Sequence, residues 1–423
     1  MSTPLVFKFG GASVKDAASV RNVAAIIARF AERPMVVVVS AMGKMTNAFE
    51  SIVGAWSNGD VSAAKAGIDG IEHFHKTIID ELFPSPPEDL ISDVTEFVQH
   101  LESALLEKDR SYSEQYDFIV HHGELLSTKI IASYVARETP TVWQDTRELV
   151  KTDGQFRRAT VQWDLTQAAI SAKIDREKVN IVQGFIGSDA QGRPTTLGRE
   201  GSDYTGAVFA YCLGADSLTI WKDVSGMLNG DPKTFKDTTK IDVLPFGEAI
   251  ELAFYGASII HPKTIQPLQK KSIPLHIKSF VDPEATGTTI SDVPRPVPEV
   301  ANFILKKQQA LLQLSTKDLA FIAEHHLSAV YHLFAAQGVV VNLMRNTATK
   351  ALFCVNHDPI IIPRILKELA ETFDVQLTEN TALLTVRHYS ASDEAAHTAG
   401  KSILLEQRTP DTVQWVYETT GQQ

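Results

Sequence analysis

A lysine followed by two glycines near the start of the chain carries the clearest chemical pattern. Residues 8–13 read Lys-Phe-Gly-Gly-Ala-Ser and end an apolar run that predicts a strand over residues 5–9. Two glycines permit a tight turn, and Ser13 with Asp16 has the S-x-x-D spacing of a helix start. Amides at a helix N-terminus together with one lysine suit a phosphate. A plain Gly-Gly turn explains the same residues equally well, because the spacing is neither that of the P-loop nor that of the dinucleotide motif.

Four further polar segments follow predicted strands, and each alone is typical of a turn or a helix cap. They are residues 40–47, 122–127, 196–204 and 221–227, the last with Asp-Pro-Lys at 231–233. Arg199 offers a guanidinium that can hold both oxygens of a carboxylate. Parallel strands end at one edge of a sheet, where open α/β sheets bind ligands. We therefore expect the five segments to share one site.

The first 290 residues alternate short apolar runs with helical patterns, which predicts a largely parallel sheet between helices. The predicted strands cover residues 5–9, 35–39, 118–120, 141–142, 179–183 and 217–221. Residues 54–116 are predicted to be a long helical excursion. The expected class is a three-layer α/β/α fold with a largely parallel central sheet.

A domain boundary is predicted where residues 291–298 carry three alternate prolines, a pattern typical of an extended linker. The expected divisions are a domain over 1–292, a linker over 293–300 and a second region over 301–423. Within that region, the pattern of residues 310–380 predicts one βαββαβ unit with an α+β, ferredoxin-like arrangement. A second unit is expected to start at 382–386 and to be truncated after about residue 389.

Composition excludes several classes of protein. The chain has 423 residues, of which 44% are hydrophobic, and 40 basic against 51 acidic residues give a net charge of −11. Such a charge disfavours general binding to nucleic acid or to anionic membranes. No apolar run reaches the roughly 18 residues of a membrane span. A first strand at about residue 4 leaves no room for a signal peptide, and two distant cysteines suit a reducing compartment, so a cytoplasmic protein is expected.

The ordered motifs resemble aspartate kinase, a member of the amino-acid-kinase fold with a C-terminal ACT regulatory region. The resemblance is carried by residues 8–14, by Gly-Glu at 123–124, by 196–203, by Lys-Asp-Val at 222–224, and by 256–262. It covers the whole chain in order. It implies transfer of the ATP γ-phosphoryl group to the β-carboxylate of L-aspartate, the first step towards lysine, threonine and methionine.

Residue roles follow from the resemblance, motif by motif. It implies catalytic roles for Lys8 and Asp203. It implies an aspartate pocket made of Ser40, Thr46, Glu124, Arg199 and Ser202. It implies ATP contacts from Lys8, Gly10, Gly11, Ser13, Lys222, Asp223, Lys233 and Ser258. The implied cofactors are ATP and Mg²⁺, with no metal ligand assigned to the protein.

This chain departs from the family pattern at three points. Ser258 stands where many members carry a second phosphate-side lysine, so Lys222 or Lys233 is expected to take part of that role. Glu200 replaces a glycine and adds an acid beside the pocket. The shortened second ACT-like unit puts the usual effector site in doubt.

Two alternatives to aspartate kinase stay open from the residues. One is a kinase for another acidic amino acid, and the other is a catalytically silent amino-acid sensor. A single module of this size rarely buries both faces and both edges of its sheet alone, so a homodimer or larger assembly paired through residues 339–343 or 310–314 is expected. The resemblance implies lysine or threonine as effector. The effector residues it implies are Asp318, Val341, Asn342, Leu343 and Met344.

Overall fold

The structure is a computed structural model that describes residues 3–257, 260–318 and 320–419. The chain divides into two compact units. The first comprises Met1–Met227, Ile241–Ile250 and Ile259–Pro298, and the second comprises Leu228–Lys240, Glu251–Ser258 and Glu299–Gln423. The last division falls at the end of the proline-rich segment, between Pro298 and Glu299. Two earlier segments also belong to the second unit, which a linear division of the chain does not anticipate.

The elements are numbered in chain order. In the described residues the strands are β1 (Leu5–Phe9), β2 (Met35–Val39), β3 (Thr141–Gln144), β4 (Val179–Gln183), β5 (Ile186–Ser188), β6 (Pro194–Thr196), β7 (Ser217–Lys222), β8 (Met227–Leu228), β9 (Lys240–Ile241), β10 (Val243–Pro245), β11 (Leu275–Ser279), β12 (Thr288–Ser291), β13 (Asn302–Thr316), β14 (Val341–Asn346), β15 (Lys350–Asn356), β16 (Phe373–Arg387), β17 (Ile403–Arg408) and β18 (Thr412–Glu418). The helices are α1 (Ala17–Ala28), α2 (Met45–Ser57), α3 (Val61–Leu82), α4 (Glu88–Leu106), α5 (Tyr112–Val120), α6 (His122–Val135), α7 (Thr146–Leu149), α8 (Trp163–Lys173), α9 (Gly201–Leu213), α10 (Phe246–Tyr255), α11 (Pro262–Lys270), α12 (Glu324–Gln337), α13 (Ile361–Thr372) and α14 (Ala391–Thr398).

The first unit is built on an eight-stranded sheet with the order β10-β12-β11-β7-β1-β2-β4-β3. All neighbours pair in parallel except β11 and β12, so the predicted, largely parallel sheet is confirmed. Every residue of β1, β2 and β4 is buried, as expected for strands with helices on both faces. Because side chains alternate along a strand, Phe7 and Phe9 join the core that includes α1 and α6, whereas Lys8 lies on the side of α9.

The predicted strand at residues 118–120 is wrong, because this segment is the end of helix α5. The Ser111 side chain caps that helix by accepting the Glu114 N–H. One face of this helix, with Gln115, Asp117 and Ile119, is buried. The apolar residues 118–120, which predicted a strand, are therefore the end of an amphipathic helix. Helix α6 follows at once, and Glu124 therefore projects from a helix and not from the end of a strand.

The turn after β1 also differs from the predicted helix start. Residues Gly11–Val14 form a short 3-10 turn, and the Ser13 hydroxyl donates to the Gly10 carbonyl. Asp16, not Ser13, is the N-cap of α1, where its carboxylate accepts the Ser19 N–H at 2.7 Å. Ser13 is thus buried within the turn, where it stabilises the turn itself.

The second unit contains a six-stranded sheet with the order β14-β15-β13-β16-β18-β17. Strands β13, β14, β15 and β16 with helices α12 and α13 give the predicted βαββαβ unit, and this region has an ACT-like fold. Its core packs α12 and α13 against one face of the sheet through residues such as Leu312, Phe334 and Ile365. No helix among the described residues is long and apolar enough to cross a membrane.

Strands β13 and β16 are 15 residues long and extend through both halves of this sheet. The sequence predicts truncation after about residue 389, whereas the chain continues into α14, β17 and β18. Strand β18 pairs with Thr381–Arg387 of β16, and Leu383–Arg387 pair in turn with Asn302–Lys306 at the start of β13. The described part of the second half therefore has four strand segments and one helix.

Replacing Gly11 with alanine is expected to destabilise the protein. A Cβ at this position would lie 2.6 Å from the Gly43 carbonyl oxygen and 2.8 Å from that of Ala41, both backbone atoms. Overpacking of this kind costs about 1–3 kcal/mol, so Gly11→Ala should lower the free energy of unfolding, measured in urea, by that amount.

The matched control is Gly54→Ala within helix α2, where a Cβ would meet no atom within 4 Å. Alanine favours a helix over glycine, so this variant should be neutral or more stable by up to about 1 kcal/mol. Equal stability of the two variants would contradict the close packing of the residue 10–14 turn against residues 41–43.

Candidate active site

The carboxyl ends of three neighbouring strands supply the base of the site. Strand β1 pairs with β2 on one side and with β7 on the other, and Lys8 lies opposite Val38 and Ile220. Later strands of the chain lie on both sides of β1, so the order of strands in the sheet reverses there. Ligands of open α/β sheets bind at such a point. Gly10, Ser40 and the last residue of β7, Lys222, come together there because the three strands are parallel.

A buried carboxylate joins two of these strands to helix α9. The Lys8 ammonium lies 2.6 Å from Asp203 Oδ1, and the Lys222 ammonium lies 3.5 Å from Asp203 Oδ2. Lys8 and Asp203 are 8% and 5% exposed. Burial alone would raise the pKa of Asp203, but the two ammonium groups outweigh burial and leave this pKa lowered. Asp203 is therefore a carboxylate that fixes the position of Lys8.

Glu124 is a second buried acid with very different surroundings. Its Oε1 accepts the Ala41 N–H at 3.4 Å, and its Oε2 is buried without a hydrogen-bond partner in the described residues. Burial raises the pKa of Glu124 to about 8. Because no cation within the described part of the chain stabilises its ionised form, this carboxyl is protonated at neutral pH until a positively charged group arrives.

One cavity of about 600 Å³ contains most of the residues that the sequence singled out. Of those residues, the ones that line it are Lys8, Gly11, Ser40, Thr46, Glu124, Arg199, Ser202, Asp203 and Lys222. Four of the predicted ATP contacts that the structure describes do not line it: Gly10, Ser13, Asp223 and Lys233. Ser13 is buried in its turn, and Asp223 is exposed. Gly10 adjoins the cavity through Gly11, Lys233 belongs to the second unit, and Ser258 lies outside the described residues.

Asp117 holds two walls of this cavity in place. Its carboxylate accepts the Arg157 N–H at 2.9 Å, the Thr196 N–H at 2.8 Å and the Thr196 hydroxyl at 2.7 Å. Thr196 begins the loop that carries Arg199, and Arg157 itself lines the cavity. Burial raises the pKa of Asp117 to about 6, although these donors lower it in part. Asp117 thus anchors the backbone of the two loops that carry Arg157 and Arg199, while standing outside the cavity lining.

Several lining residues were missed by the sequence, among them Glu50, Tyr116, Arg157 and Phe185. The Arg157 guanidinium lies 4.7 Å from the ring centroid of Tyr116, whose hydroxyl donates to Glu50 at 2.6 Å. Arg157, Phe185 and Glu200 all have positive φ angles, of 68°, 72° and 53°. Non-glycine residues of this kind often cluster at functional sites, but no local sequence pattern reveals them.

The predicted effector residues lie in the second unit. Val341, Asn342, Leu343 and Met344 belong to β14, which is an edge strand of its sheet. Asn342 donates to Gln309 and Asn356 and accepts from Lys306. Asp318 lies before α12, and its carboxylate accepts the Ala320 N–H. Residues 310–314 lie in β13 between β15 and β16, so this segment has no free edge for pairing with a second chain.

Comparison with known proteins identifies the family. Residues 3–279 match the model of the amino acid kinase family. The chain is 30% identical to the lysine-sensitive aspartokinase 3 of Escherichia coli, over 91% of this chain and 87% of that protein. It belongs to the aspartokinases of the amino acid kinase family. An aspartokinase of Chlamydia trachomatis is 32% identical over 80% of this chain and 77% of its own length.

Solved structures agree with this family membership. Escherichia coli aspartokinase III in complex with lysine and aspartate superposes with a TM-score of 0.81 at 26% identity, covering 97% of this chain and 95% of that chain. The same enzyme with aspartate and ADP gives a TM-score of 0.79. The chain also matches bifunctional aspartokinase/homoserine dehydrogenases of Arabidopsis thaliana, of which it spans about a third.

Removing the Asp117 carboxylate is expected to weaken aspartate use more than turnover. Asp117→Ala leaves the Arg157 and Thr196 amides without their acceptor, and the loops that carry Arg157 and Arg199 lose their common anchor. Hydrogen bonds to a charged group are worth about 1.5–3 kcal/mol, so the KM for aspartate should rise about tenfold or more while kcat changes less.

Asp153→Ala is the matched control. Asp153 accepts the Thr160 and Gln155 N–H groups within the same loop as Arg157, but it does not line the cavity. This variant should retain the parental KM. If both variants changed the KM equally, general loosening of the loop, and not the anchor at Asp117, would be responsible.

Proposed function

We propose that this chain is an aspartate kinase, which transfers the γ-phosphoryl group of ATP to the β-carboxylate of L-aspartate. The observation that carries the proposal is the presence, in one cavity, of the buried Glu124 carboxyl, whose Oε2 has no hydrogen-bond partner among the described residues, and of the Lys8–Asp203–Lys222 cluster. The first suits an ammonium group, and the second suits a phosphoryl group. Escherichia coli aspartokinase III, with aspartate and ADP bound, has a similar fold.

Recognition of the amino acid is assigned to three side chains. Glu124 receives the α-ammonium group, because its Oε2 is buried in the cavity without a partner. Arg199 holds the α-carboxylate, since the parallel donors of a guanidinium match both carboxylate oxygens. Ser40 and Thr46 line the same cavity and complete the polar contacts, with Ser202 at the start of α9.

The chemistry needs no general base. A β-carboxylate is ionised at neutral pH and is itself the nucleophile. What opposes the reaction is repulsion between two anions, and Lys8 is placed to reduce it. Its ammonium is held by Asp203 at the end of β1, next to the glycine turn, so positive charge is already in place where phosphoryl charge develops.

Nucleotide contacts are assigned to Gly10, Gly11 and Lys222, with Ser13 supporting the glycine turn. Asp223 and Lys233 follow β7 in the chain and are proposed to extend these contacts, as is Ser258. For Mg²⁺, the cavity offers Glu200, whose Oε2 is buried and accepts no hydrogen bond from the described residues. Mg²⁺ is usually held by one or two carboxylates together with phosphate oxygens, so Glu200 fits. When bound, the ion neutralises phosphate charge.

The second unit is proposed to be regulatory and to pair with another chain. Its edge strand β14 leaves backbone groups available for such pairing, whereas β13 does not. We propose a homo-oligomer joined through β14, with lysine or threonine bound near Asp318 and Val341–Met344. Escherichia coli aspartokinase 3, a relative, is lysine-sensitive by name.

The decisive experiment is to trap the acyl phosphate as a hydroxamate with L-aspartate, L-glutamate and N-acetylglutamate. Aspartate alone should give product. Product from glutamate at equal efficiency would indicate a kinase for another acidic amino acid. Absence of product from all three, with amino-acid binding intact, would indicate a sensor.

Lys8→Ala is expected to lower kcat by about 10²–10³, the cost of removing one preorganised charge from a transition state. The affinity for ADP, measured by calorimetry, should change much less, because the backbone of the glycine turn is unaltered. Lys278→Ala is the control, since Lys278 lies on β11 of the same sheet but does not line the cavity. Near-normal turnover of Lys8→Ala would remove Lys8 from catalysis.

Aspartate binding is expected to release a proton from Glu124. Below its pKa of about 8 the carboxyl is protonated in the free protein, and it must ionise to pair with the ammonium group. The KM for aspartate should therefore fall as pH rises from about 6 to 8, by up to about tenfold per pH unit, and level off above 8.

Calorimetry at pH 7 in two buffers with different ionisation enthalpies measures this proton directly. The parent protein should release close to one proton for each aspartate bound. Glu124→Gln, which cannot ionise, should bind aspartate weakly and release none. Identical heats in both buffers for the parent would disprove the pairing of Glu124 with the ammonium group.

A further inference from the structure

The first unit contains another cavity, which lies between helices α8, α9 and α11. Its volume is about 360 Å³, within the range of about 300–1,000 Å³ that small-molecule sites occupy. Every described lining residue belongs to Met1–Met227 or to Ile259–Pro298, so the cavity lies within one compact unit. None of these residues lines the kinase cavity, and the proposed kinase chemistry uses none of them.

Three aromatic side chains form the walls of this cavity: Trp163 of α8, and Tyr204 and Tyr211 of α9. The ring centroids of Trp163 and Tyr211 are 4.9 Å apart, and their planes are inclined by 68°. Trp163 and Tyr204 are 6.4 Å apart and inclined by 82°. Because aromatic rings attract one another both by offset stacking and edge to face, walls at these angles suit a flat ring.

Two lysines also line the cavity, and none of the described lining residues is acidic. The ammonium of Lys263, a partly buried residue, lies 4.4 Å from the ring centroid of Tyr204 and donates to the Leu197 carbonyl at 3.2 Å. Burial lowers the pKa of Lys263, although attraction to Asp153, which stands outside the lining, raises it in part. Lys270 is exposed at the rim. The cavity is therefore aromatic and positively charged.

Helix α9 separates this cavity from the kinase cavity. Asp203 lines the kinase cavity, whereas the next residue, Tyr204, lines this one. Successive residues of a helix point about 100° apart, and Tyr211, two turns after Tyr204, returns to the same side. The two cavities therefore lie on different sides of one helix and share no described residue.

We propose that this cavity binds a planar aromatic carboxylate. The ring of the ligand packs against Trp163 and Tyr211, and its carboxylate contacts the ammonium groups of Lys263 and Lys270. An aromatic amine is disfavoured, because both ammonium groups repel it. An α-amino acid is also disfavoured, because the described lining offers no carboxylate to its ammonium group. The site does not depend on the proposed kinase activity.

Calorimetric titration of the full chain with indole-3-propionate tests the proposal. Saturable binding with a Kd at or below about 1 mM is expected, and saturating L-aspartate and ADP should not displace this ligand. Three matched compounds keep the indole ring and change the charge: 3-(indol-3-yl)propanol is neutral, tryptamine is a cation, and L-tryptophan adds an ammonium group. Each should bind at least about tenfold more weakly than indole-3-propionate.

Variants locate the ligand in this cavity. Lys263→Met should weaken indole-3-propionate about tenfold or more and leave 3-(indol-3-yl)propanol unchanged, because only the carboxylate contacts the ammonium group. Trp163→Leu should weaken both ligands about two- to tenfold, since both stack on the same ring. Lys270→Met should weaken indole-3-propionate about two- to fivefold, and an exposed position such as this one leaves folding intact.

Lys271→Met is the matched control. Lys271 follows Lys270 in the chain and its ammonium lies 4.0 Å from the ring centroid of Tyr211, but it does not line the cavity. This variant removes the same charge from the same surface and should bind indole-3-propionate as the parent does. The absence of saturable binding, displacement of the ligand by L-aspartate and ADP, or an equal loss in Lys271→Met and Lys263→Met would overturn the proposal.

Discussion

The ion pair between Lys8 and Asp203 is the interaction on which the first unit's site depends. Taking a carboxylate out of water is costly, and only the two ammonium groups of Lys8 and Lys222 keep Asp203 ionised where it lies. This electrostatic requirement constrains both the packing of the elements and the position of Lys8. Strands β1 and β7 and helix α9 must sit so that the three groups meet, and once they meet, the Lys8 ammonium is fixed at the end of β1. The same ion pairs therefore hold the elements together and place the Lys8 ammonium in the cavity.

Around that pair, the cavity is formed by segments that are far apart in the chain. Gly11 allows the residue 10–14 turn to approach the carbonyl groups of Ala41 and Gly43, while Asp117 ties the loops of Arg157 and Thr196 to helix α5. Glu124 enters from the next helix with one oxygen unpartnered. The site is thus preorganised for cationic and anionic groups by contacts that lie mostly behind its surface.

In the second unit, two long strands, β13 and β16, connect the two halves of the sheet. Because β13 and β16 each extend through both halves of its sheet, the two halves are covalently and structurally continuous. Leu228–Lys240, a segment from the middle of the chain, is part of this unit and carries the Asp231–Lys233 motif.

The sequence by itself determined the parallel sheet and the βαββαβ unit, because fully buried strands such as β2 are continuous apolar runs and α13 has strict helical spacing. It also singled out Lys8, Glu124, Arg199 and Asp203, through motifs that resemble a known family. The helix at residues 112–120, the anchoring role of Asp117 and the continuous β13 and β16 were decided only by tertiary structure. Each depends on partners tens of residues away, such as Asp117 and Thr196, which are 79 positions apart, and local propensity contains no information about such contacts.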